Sequence, residues 1–356
     1  MSNLAAVSVE IPCAAMPPDV FGFVRKQAGL VRWGLQGVGQ ELQREVLHRD
    51  PDGTEVIRLR GPAPLRILPQ FGHVSAGRML VPDSLEPTYK WSPGNLWRTA
   101  PDRVPAGDVD VVRVPEVVSM RHLWEWNYYH FLQDVLGKLE VIDRVPELDG
   151  LPLGLSQSCH DVGWMRPVLE CGALAARNWL IPEPGQVIEA ESLVYVRQEL
   201  GAQRRRSHAV TDAMLGDTPA GDRRLFVGRD DASTRHLTNH DEIHALATDH
   251  GFEYVGSLST MHPREQAELF RSAGVILGIH GAGLTNIMHR AGSPTTVIEL
   301  IGRQYTDPGF LRLSSALGFR FWRVLGESEP GPPQSAHFWM DPTELATILE
   351  QVDAAN

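Results

Sequence analysis

Three groups of residues in this 356-residue chain have types and spacings that could do chemistry. The first is GVILGIHGAGLTNIMHRAGSPTTVIEL, residues 274–300. An apolar strand ends, a glycine-rich turn follows, and a helix is expected from about Leu284. In parallel sheets, ligands bind beyond the carboxyl ends of the strands. A helix N-terminus offers unpaired N–H donors and partial positive charge to a phosphate. Gly281 and Gly283 would let the backbone of the His280-Gly281-Ala282-Gly283-Leu284 turn come close to such a group. Thr285 and Asn286 could add side-chain donors. The run is not Walker A, because no Gly-Lys-Ser/Thr follows, and it is not Gly-x-Gly-x-x-Gly. Glu299 is expected at the carboxyl end of the next strand, where a carboxylate could accept both hydroxyls of a ribose. The alternative is a tight strand-to-helix turn with no ligand.

The second group is Arg229, Arg235 and Asn239. Arg229 ends the first strand of the same region, so it belongs on the ligand side of the sheet, and Arg235 follows in the loop. Two arginines suit a diphosphate, because each guanidinium can bind oxygens bidentately. Asp230 and Asp231 could instead pair with them locally.

The third is EWNYYHFLQDVLGKLEVID, residues 125–143. At 100° per residue, Tyr128, Phe131, Leu132, Val135, Leu139 and Ile142 form one apolar face. Asn127, His130, Asp134 and Lys138 fall in a separate arc of roughly 80°. A histidine and a carboxylate at i, i+4 can act together, the carboxylate orienting a general base. The pair could also bind metal, but no third ligand stands at useful spacing. Trp124, Trp126 and Tyr128 could form a sugar-stacking platform or pack in the core. Gly-x-Ser-x-Gly is absent.

The elements that must position these residues are clearest after residue 222. Strands are expected at Leu225–Arg229, Phe252–Val255, Gly274–Ile279, Thr295–Leu300 and Phe319–Val324. Helices about a dozen residues long alternate with them, one capped by Asn239 and another carrying Pro263 in its first turn. This alternation implies a parallel sheet covered on both faces, a Rossmann-like domain. An amphipathic helix near 342–353 could dock back on the first domain. Residues 1–110 alternate short apolar pieces with Pro- and Gly-rich turns, which suggests short strands and loops. Arg204, Arg205 and Arg206 mark a linker or a helix start, so the expected domains are 1–203 and 204–356.

Composition sets the outer bounds. The chain is 42% hydrophobic and 22% charged, ordinary for a globular protein. Its net charge of -11 argues against a broad nucleic-acid surface. No run approaches 18 uncharged apolar residues, so no membrane span is expected. No signal peptide is read at the N-terminus. The three cysteines, Cys13, Cys159 and Cys171, form no Cys-x-x-Cys pair, which argues against a disulfide framework or a structural zinc site. A cytoplasmic protein is the expectation.

Taken together, the motifs resemble glycosyltransferase family 61. Its members share an Asn-Tyr-x-His-x-x-x-Asp/Glu helix, here Asn127, Tyr128, His130 and Asp134. They share a strand ending in Arg followed by a second Arg and Asn, here Arg229, Arg235 and Asn239. They share His-Gly-Ala-Gly-Leu-Thr-Asn, here His280 to Asn286, and then Val-Ile-Glu-Leu, here Val297 to Leu300. The family commonly has Asn-Glu after the second arginine, where this chain has Asn239-His240-Asp241-Glu242. The resemblance implies a GT-B architecture of two Rossmann-like domains facing a cleft, with the nucleotide sugar on the C-terminal domain and the acceptor on the N-terminal one. It implies inverting transfer from a nucleotide-diphosphate sugar, a UDP-sugar first, to a glycan or small-molecule hydroxyl, in the setting of polysaccharide or surface-glycan assembly. It implies no cofactor and no required metal. Asp134, or His130 supported by Asp134, would be the base; Arg229, Arg235, Asn239, residues 280–286 and Glu299 would hold the donor; Asn127 and Trp126 would orient the acceptor. A homodimer is left open. The other readings of the same motifs are a non-catalytic nucleotide-sugar or glycan-binding protein and a GT-B-like nucleotide-sugar epimerase.

Overall fold

The structure is a computed structural model that describes residues 43–67, 74–76, 79–80, 110–122, 124–197 and 203–354. Cys13 and the strands and loops expected over 1–42 and 81–109 lie outside the described residues. The chain divides into two compact units between Val210 and Thr211, inside the helix Gln203–Leu215. The run Arg204 to Arg206 is therefore a helix start.

The first unit holds β1 (Gln43–Arg49), β2 (Glu55–Ile67), β3 (Val74–Ala76), β4 (Met79–Leu80), β5 (Val111–Ser119), β6 (Leu153–Gly154), β7 (Trp179–Leu180) and β8 (Val187–Arg197). They form one sheet in the order β4-β3-β2-β8-β5-β6-β7, with β1 beside β2. This sheet is mixed. The pairs made by β2 are antiparallel, while β8, β5, β6 and β7 run parallel. The β2–β8 register slips between Arg60 and Leu65, where Gly-Pro-Ala-Pro occupies 61–64 and the prolines offer no N–H to the ladder. On either side of that slip, Ile57 and Leu59, then Leu65 and Ile67, fill one core with Ile188, Ala190 and Tyr195.

The second unit holds β9 (Arg223–Val227), β10 (Glu253–Val255), β11 (Ala273–Ile279), β12 (Thr296–Gly302), β13 (Arg320–Ser328) and β14 (Phe338–Trp339). The order is β10-β9-β11-β12-β13-β14, parallel throughout except for β14 at the edge. The strand β11 is a continuous apolar run, and β12 is one apart from Thr296 and Glu299, because both of their faces are covered. Successive side chains alternate between faces. Leu277 and Ile279 join a core that includes Phe226 and Ile243, while Gly278 faces the Leu284 side chain. The chain leaves β9 for β10 on one side and returns to β11 on the other. The order therefore reverses between the carboxyl ends of β9 and β11, the place where open α/β sheets bind ligands.

Helix boundaries follow the local signals. The helix Pro263–Arg271 begins with a capping box: His262 Nδ1 accepts from the Arg264 N–H at 3.3 Å, and Glu265 accepts from the His262 N–H at 3.0 Å. Gly309–Leu317 stops at Gly318, whose φ of 74° is the left-handed cap that glycine supplies at little cost. The helix expected after the glycine-rich turn is a 3-10 helix, Ala282–Arg290. The helix Pro342–Ala354 buries its apolar face within its own unit. Leu345, Ile348, Leu349 and Val352 belong to the core of their own unit, against Ile243 and Ala247. Among the described residues no helix is long and apolar enough to cross a membrane. Leu349 is fully buried, so Leu349→Ala should cost about 2–5 kcal/mol in a urea titration of the second unit. A loss below about 1 kcal/mol would mean that the last helix is not part of this core.

Candidate functional site

The first cluster is built on an irregular helical run. Asn127 caps it, its side chain accepting from the Tyr129 N–H at 3.0 Å. The run then passes from α-helix (Tyr128–His130) through a π segment (Phe131–Val135) and a 3-10 turn (Leu136–Lys138) to α-helix again (Leu139–Ile142). Phe131, Leu132, Val135, Leu139 and Ile142 are buried, as their spacing implies. The change of pitch turns Lys138 out of the expected polar arc. It is buried, and its Nζ donates to the carbonyls of Arg121 at 2.5 Å and Met120 at 3.3 Å. Asn127 acts as a cap. Trp126 is 53% exposed and stands edge-on to Trp124, so it is free to meet a ligand, while Tyr128 packs on Trp164.

His130 and Asp134 do meet: Nδ1 lies 2.7 Å from Oδ2. Two further residues close on the same carboxylate. Arg206 donates to Oδ1 at 3.2 Å, and His122 Nε2 is 3.8 Å from Oδ2. The His122 and His130 rings stack with centroids 5.0 Å apart. Burial by itself would raise the Asp134 pKa, but the His130 hydrogen bond and the neighbouring His122 and Arg206 outweigh it. They hold the carboxyl well below its usual range. A carboxylate so stabilised is a poor proton acceptor. It takes the Nδ1 proton of neutral His130 as a hydrogen bond, which leaves the Nε2 lone pair as the basic atom.

The expectation that no third metal ligand exists is corrected, since His122, His130 and Asp134 bring three ligand atoms within 4.8 Å of one another. Their protons oppose a metal ion there. His122 Nδ1 accepts from the Trp124 N–H at 3.1 Å, so in the neutral ring the proton sits on Nε2, the atom that would face the metal. Arg206 adds a positive charge on the same carboxylate.

The second cluster lies in the other unit, where β9 and β11 end. Arg229 donates to the carbonyls of Thr234 at 3.3 Å and His280 at 3.4 Å. Its guanidinium rests against the α-carbon of Gly281, in the space a side chain there would occupy. The glycine is required by that close approach, since its backbone is extended. Burial, with the Arg235 charge beside it, lowers the Arg229 pKa to about 10, so Arg229 stays charged near neutrality. Asp230 and Asp231 do not neutralise them directly. Asp230 accepts from the Tyr254 hydroxyl at 2.6 Å, and Asp231 accepts from Ser257 at 2.8 Å. Arg235 sits at φ 56°, an uncommon conformation outside glycine, and its Nε is buried without a partner. One of its terminal nitrogens donates to the Gln334 carbonyl at 3.0 Å, and its guanidinium lies over the Tyr305 ring at 5.3 Å. Beside them the first N–H groups of the 3-10 helix lack intrahelical acceptors, and Ala282 there is exposed. Two like charges beside an open helix end are the kind of group that attracts an anion.

Several residues expected in direct donor contact are used otherwise. Glu299 sits in mid-strand, fully buried, with both oxygens engaged: Oε1 with His280 Nδ1 at 2.6 Å and Oε2 with Arg323 Nε at 2.6 Å. No free face remains for a ribose. His280 is buried, its ring against Tyr305 and Phe310, and contributes its carbonyl to Arg229. Leu284, Thr285 and Asn286 are fully buried, and the Asn286 amide donates to Gln266 and the Gly283 carbonyl, both at 3.1 Å. Asn239 does not cap its helix through its side chain. It clamps the Met340 backbone instead, donating to its carbonyl at 2.8 Å and accepting from its N–H at 3.0 Å. The sequence reading missed Arg323, which stands in register opposite Glu299, and also His122, Arg206 and Tyr305.

Residues 128–298, just under half of the chain, match the family model for Glycosyltransferase 61. Over that segment the chain is similar to glycosyltransferase family 61. A beta-1,2-xylosyltransferase of Arabidopsis thaliana is 29% identical, covering 41% of this chain and 30% of that protein. Another, from Oryza sativa subsp. japonica, is 37% identical over 26% of this chain and 15% of its own length. The chain thus spans less than a third of either relative. Among solved structures, a mutant flavo di-iron protein from Thermotoga maritima aligns with a TM-score of 0.26 at 12% identity, covering 63% of this chain and 51% of that one. That score supports no common fold.

The depressed Asp134 pKa carries a sign. Its stabilising effect is fully present above the ordinary carboxylate value of 3.8 and is lost as pH falls towards the folded-state value. The stability difference between the natural chain and Asp134→Asn, followed by urea titration, should be widest near pH 7 and close below about pH 4. A difference independent of pH would contradict the clamped carboxylate. Truncating one partner of the buried Glu299 pair, as in Arg323→Met, should cost about 3–5 kcal/mol. An unchanged melting temperature would show that the pair contributes nothing.

Proposed function

We propose that this chain transfers a sugar from a nucleotide-diphosphate donor to an acceptor hydroxyl in a single inverting displacement. The observation that carries the reading is the His130–Asp134 contact, within the segment that matches the family. His130 Nε2 takes the hydroxyl proton as the oxygen attacks the anomeric carbon. The bond from that carbon to the phosphate oxygen breaks, and the nucleoside diphosphate leaves. Negative charge grows on the leaving group, so Arg229, Arg235 and the N–H groups around Ala282 stabilise the transition state more than the bound donor. Those two guanidinium charges can do without a metal ion what metals do in other transferases, and metal independence is part of the proposal. So is the GT-B architecture, with the parallel second unit as the donor half. The relatives' names make UDP-xylose the first donor to test, with a glycan hydroxyl as acceptor. Asp134 orients and supports the base, and Trp126 offers an exposed ring to a sugar.

A thermal-shift series with UDP and UDP-sugars tests the donor site. A ligand at 100 times its dissociation constant should add about 2.7 kcal/mol, and Arg229→Ala should abolish the shift. Acceptor-dependent release of UDP then tests the transfer, and His130→Ala should reduce it by about 10²–10⁴-fold. The donor assignment fails if no nucleotide sugar shifts the melting point. A shift with no release, with or without acceptor, would instead favour a binding protein, and acceptor-independent turnover to an isomeric nucleotide sugar would favour an epimerase.

A further inference from the structure

Arg206 is buried, and it reaches Asp134 from a different helix, Gln203–Leu215. Its path is set by one residue. A Cβ added at Gly137 would meet the Arg206 Cδ at 2.8 Å, its Cβ at 3.0 Å and its Cγ at 3.1 Å. Glycine at 137 therefore makes the gap through which the arginine stem passes. One residue along the same helix, Ser207 exchanges hydrogen bonds with the buried Gln133 amide at 3.1 and 3.3 Å, fixing this crossing beside Asp134.

The carboxylate has two oxygens with different tasks. Arg206 holds Oδ1, which leaves Oδ2 for His130 Nδ1. An unrestrained carboxylate rotates about its terminal torsion, and the hydrogen bond that selects the histidine tautomer weakens with it. In water a neutral imidazole favours the proton on Nε2, the atom that must be bare to act as a base here. We propose that Arg206 is a positioning residue for the base: it fixes the Asp134 carboxylate, and with it the His130 tautomer, by reaching across Gly137. The inference rests on the reading of His130 as the base.

Nitrogen-15 NMR of the histidine-labelled full chain tests it, with the His130 signals assigned by their loss in His130→Ala. The natural chain should show His130 with its proton on Nδ1. Arg206→Gln should shift it toward the Nε2–H form. Gly137→Ala should do the same while keeping the arginine, although alanine is the better helix former. With UDP-xylose as the probe donor, kcat for UDP release in both variants should fall about tenfold with KM nearly unchanged, as expected when a transition-state contribution is lost. An unchanged tautomer in both variants, with native far-UV circular dichroism, would overturn the positioning role. Undiminished UDP release in His130→Ala would overturn the base assignment, whatever the tautomer result.

Discussion

An ionised carboxylate kept inside the fold is the constraint around which the first cluster is arranged. Asp134 is desolvated enough that burial alone would favour its neutral form. Three groups from separate parts of the chain reverse that preference: His130 one helical turn away, His122 from the segment before the helix, and Arg206 from the helix Gln203–Leu215. The π segment at Phe131–Val135 and the glycine at 137 are the backbone features that let these groups meet. Both would look like defects in a regular helix. Irregular helical turns of this kind recur at functional sites because they re-aim side chains that an ideal pitch would misplace.

The second unit solves a complementary problem, how to gather positive charge inside an acidic chain. A net charge of -11 disfavours a broad basic surface but does not forbid two placed arginines. Burial and the neighbouring Arg235 charge lower the affinity of Arg229 for its proton, and the side chains of Asp230 and Asp231 hydrogen-bond to Tyr254 and Ser257. A bound anion would relieve that repulsion, which gives the site a preference for negative charge before any specific contact forms. The fully buried Glu299 supports this arrangement at one remove. It orders His280, whose carbonyl receives Arg229, and it is neutralised by Arg323.

Much of the second unit was legible in the sequence, because central parallel strands are continuous apolar runs and helix ends carry local signals such as Pro263 and Gly318. The His130–Asp134 pair was legible too, since an i, i+4 spacing survives one irregular turn. Lys138 was not, because a fixed 100° step accumulates error once the pitch changes. The role of Glu299 was misread for a different reason. A carboxylate inside a strand covered on both faces must be paired with another buried group, and that rule points to Arg323 rather than to a ribose. Arg206 and His122 come to Asp134 only through tertiary packing, which no local pattern records.

On the proposed reading His130 is the base, and Asp134 is held by its partners rather than free to attack the sugar. That reading entails a single displacement and therefore inversion at the anomeric carbon. Proton NMR of the first transfer product, before any spontaneous anomerisation, reads this directly. The account predicts an anomeric configuration opposite to that of the donor. Retained configuration would require a second displacement and a nucleophile other than the acceptor, and would contradict the role assigned to His130.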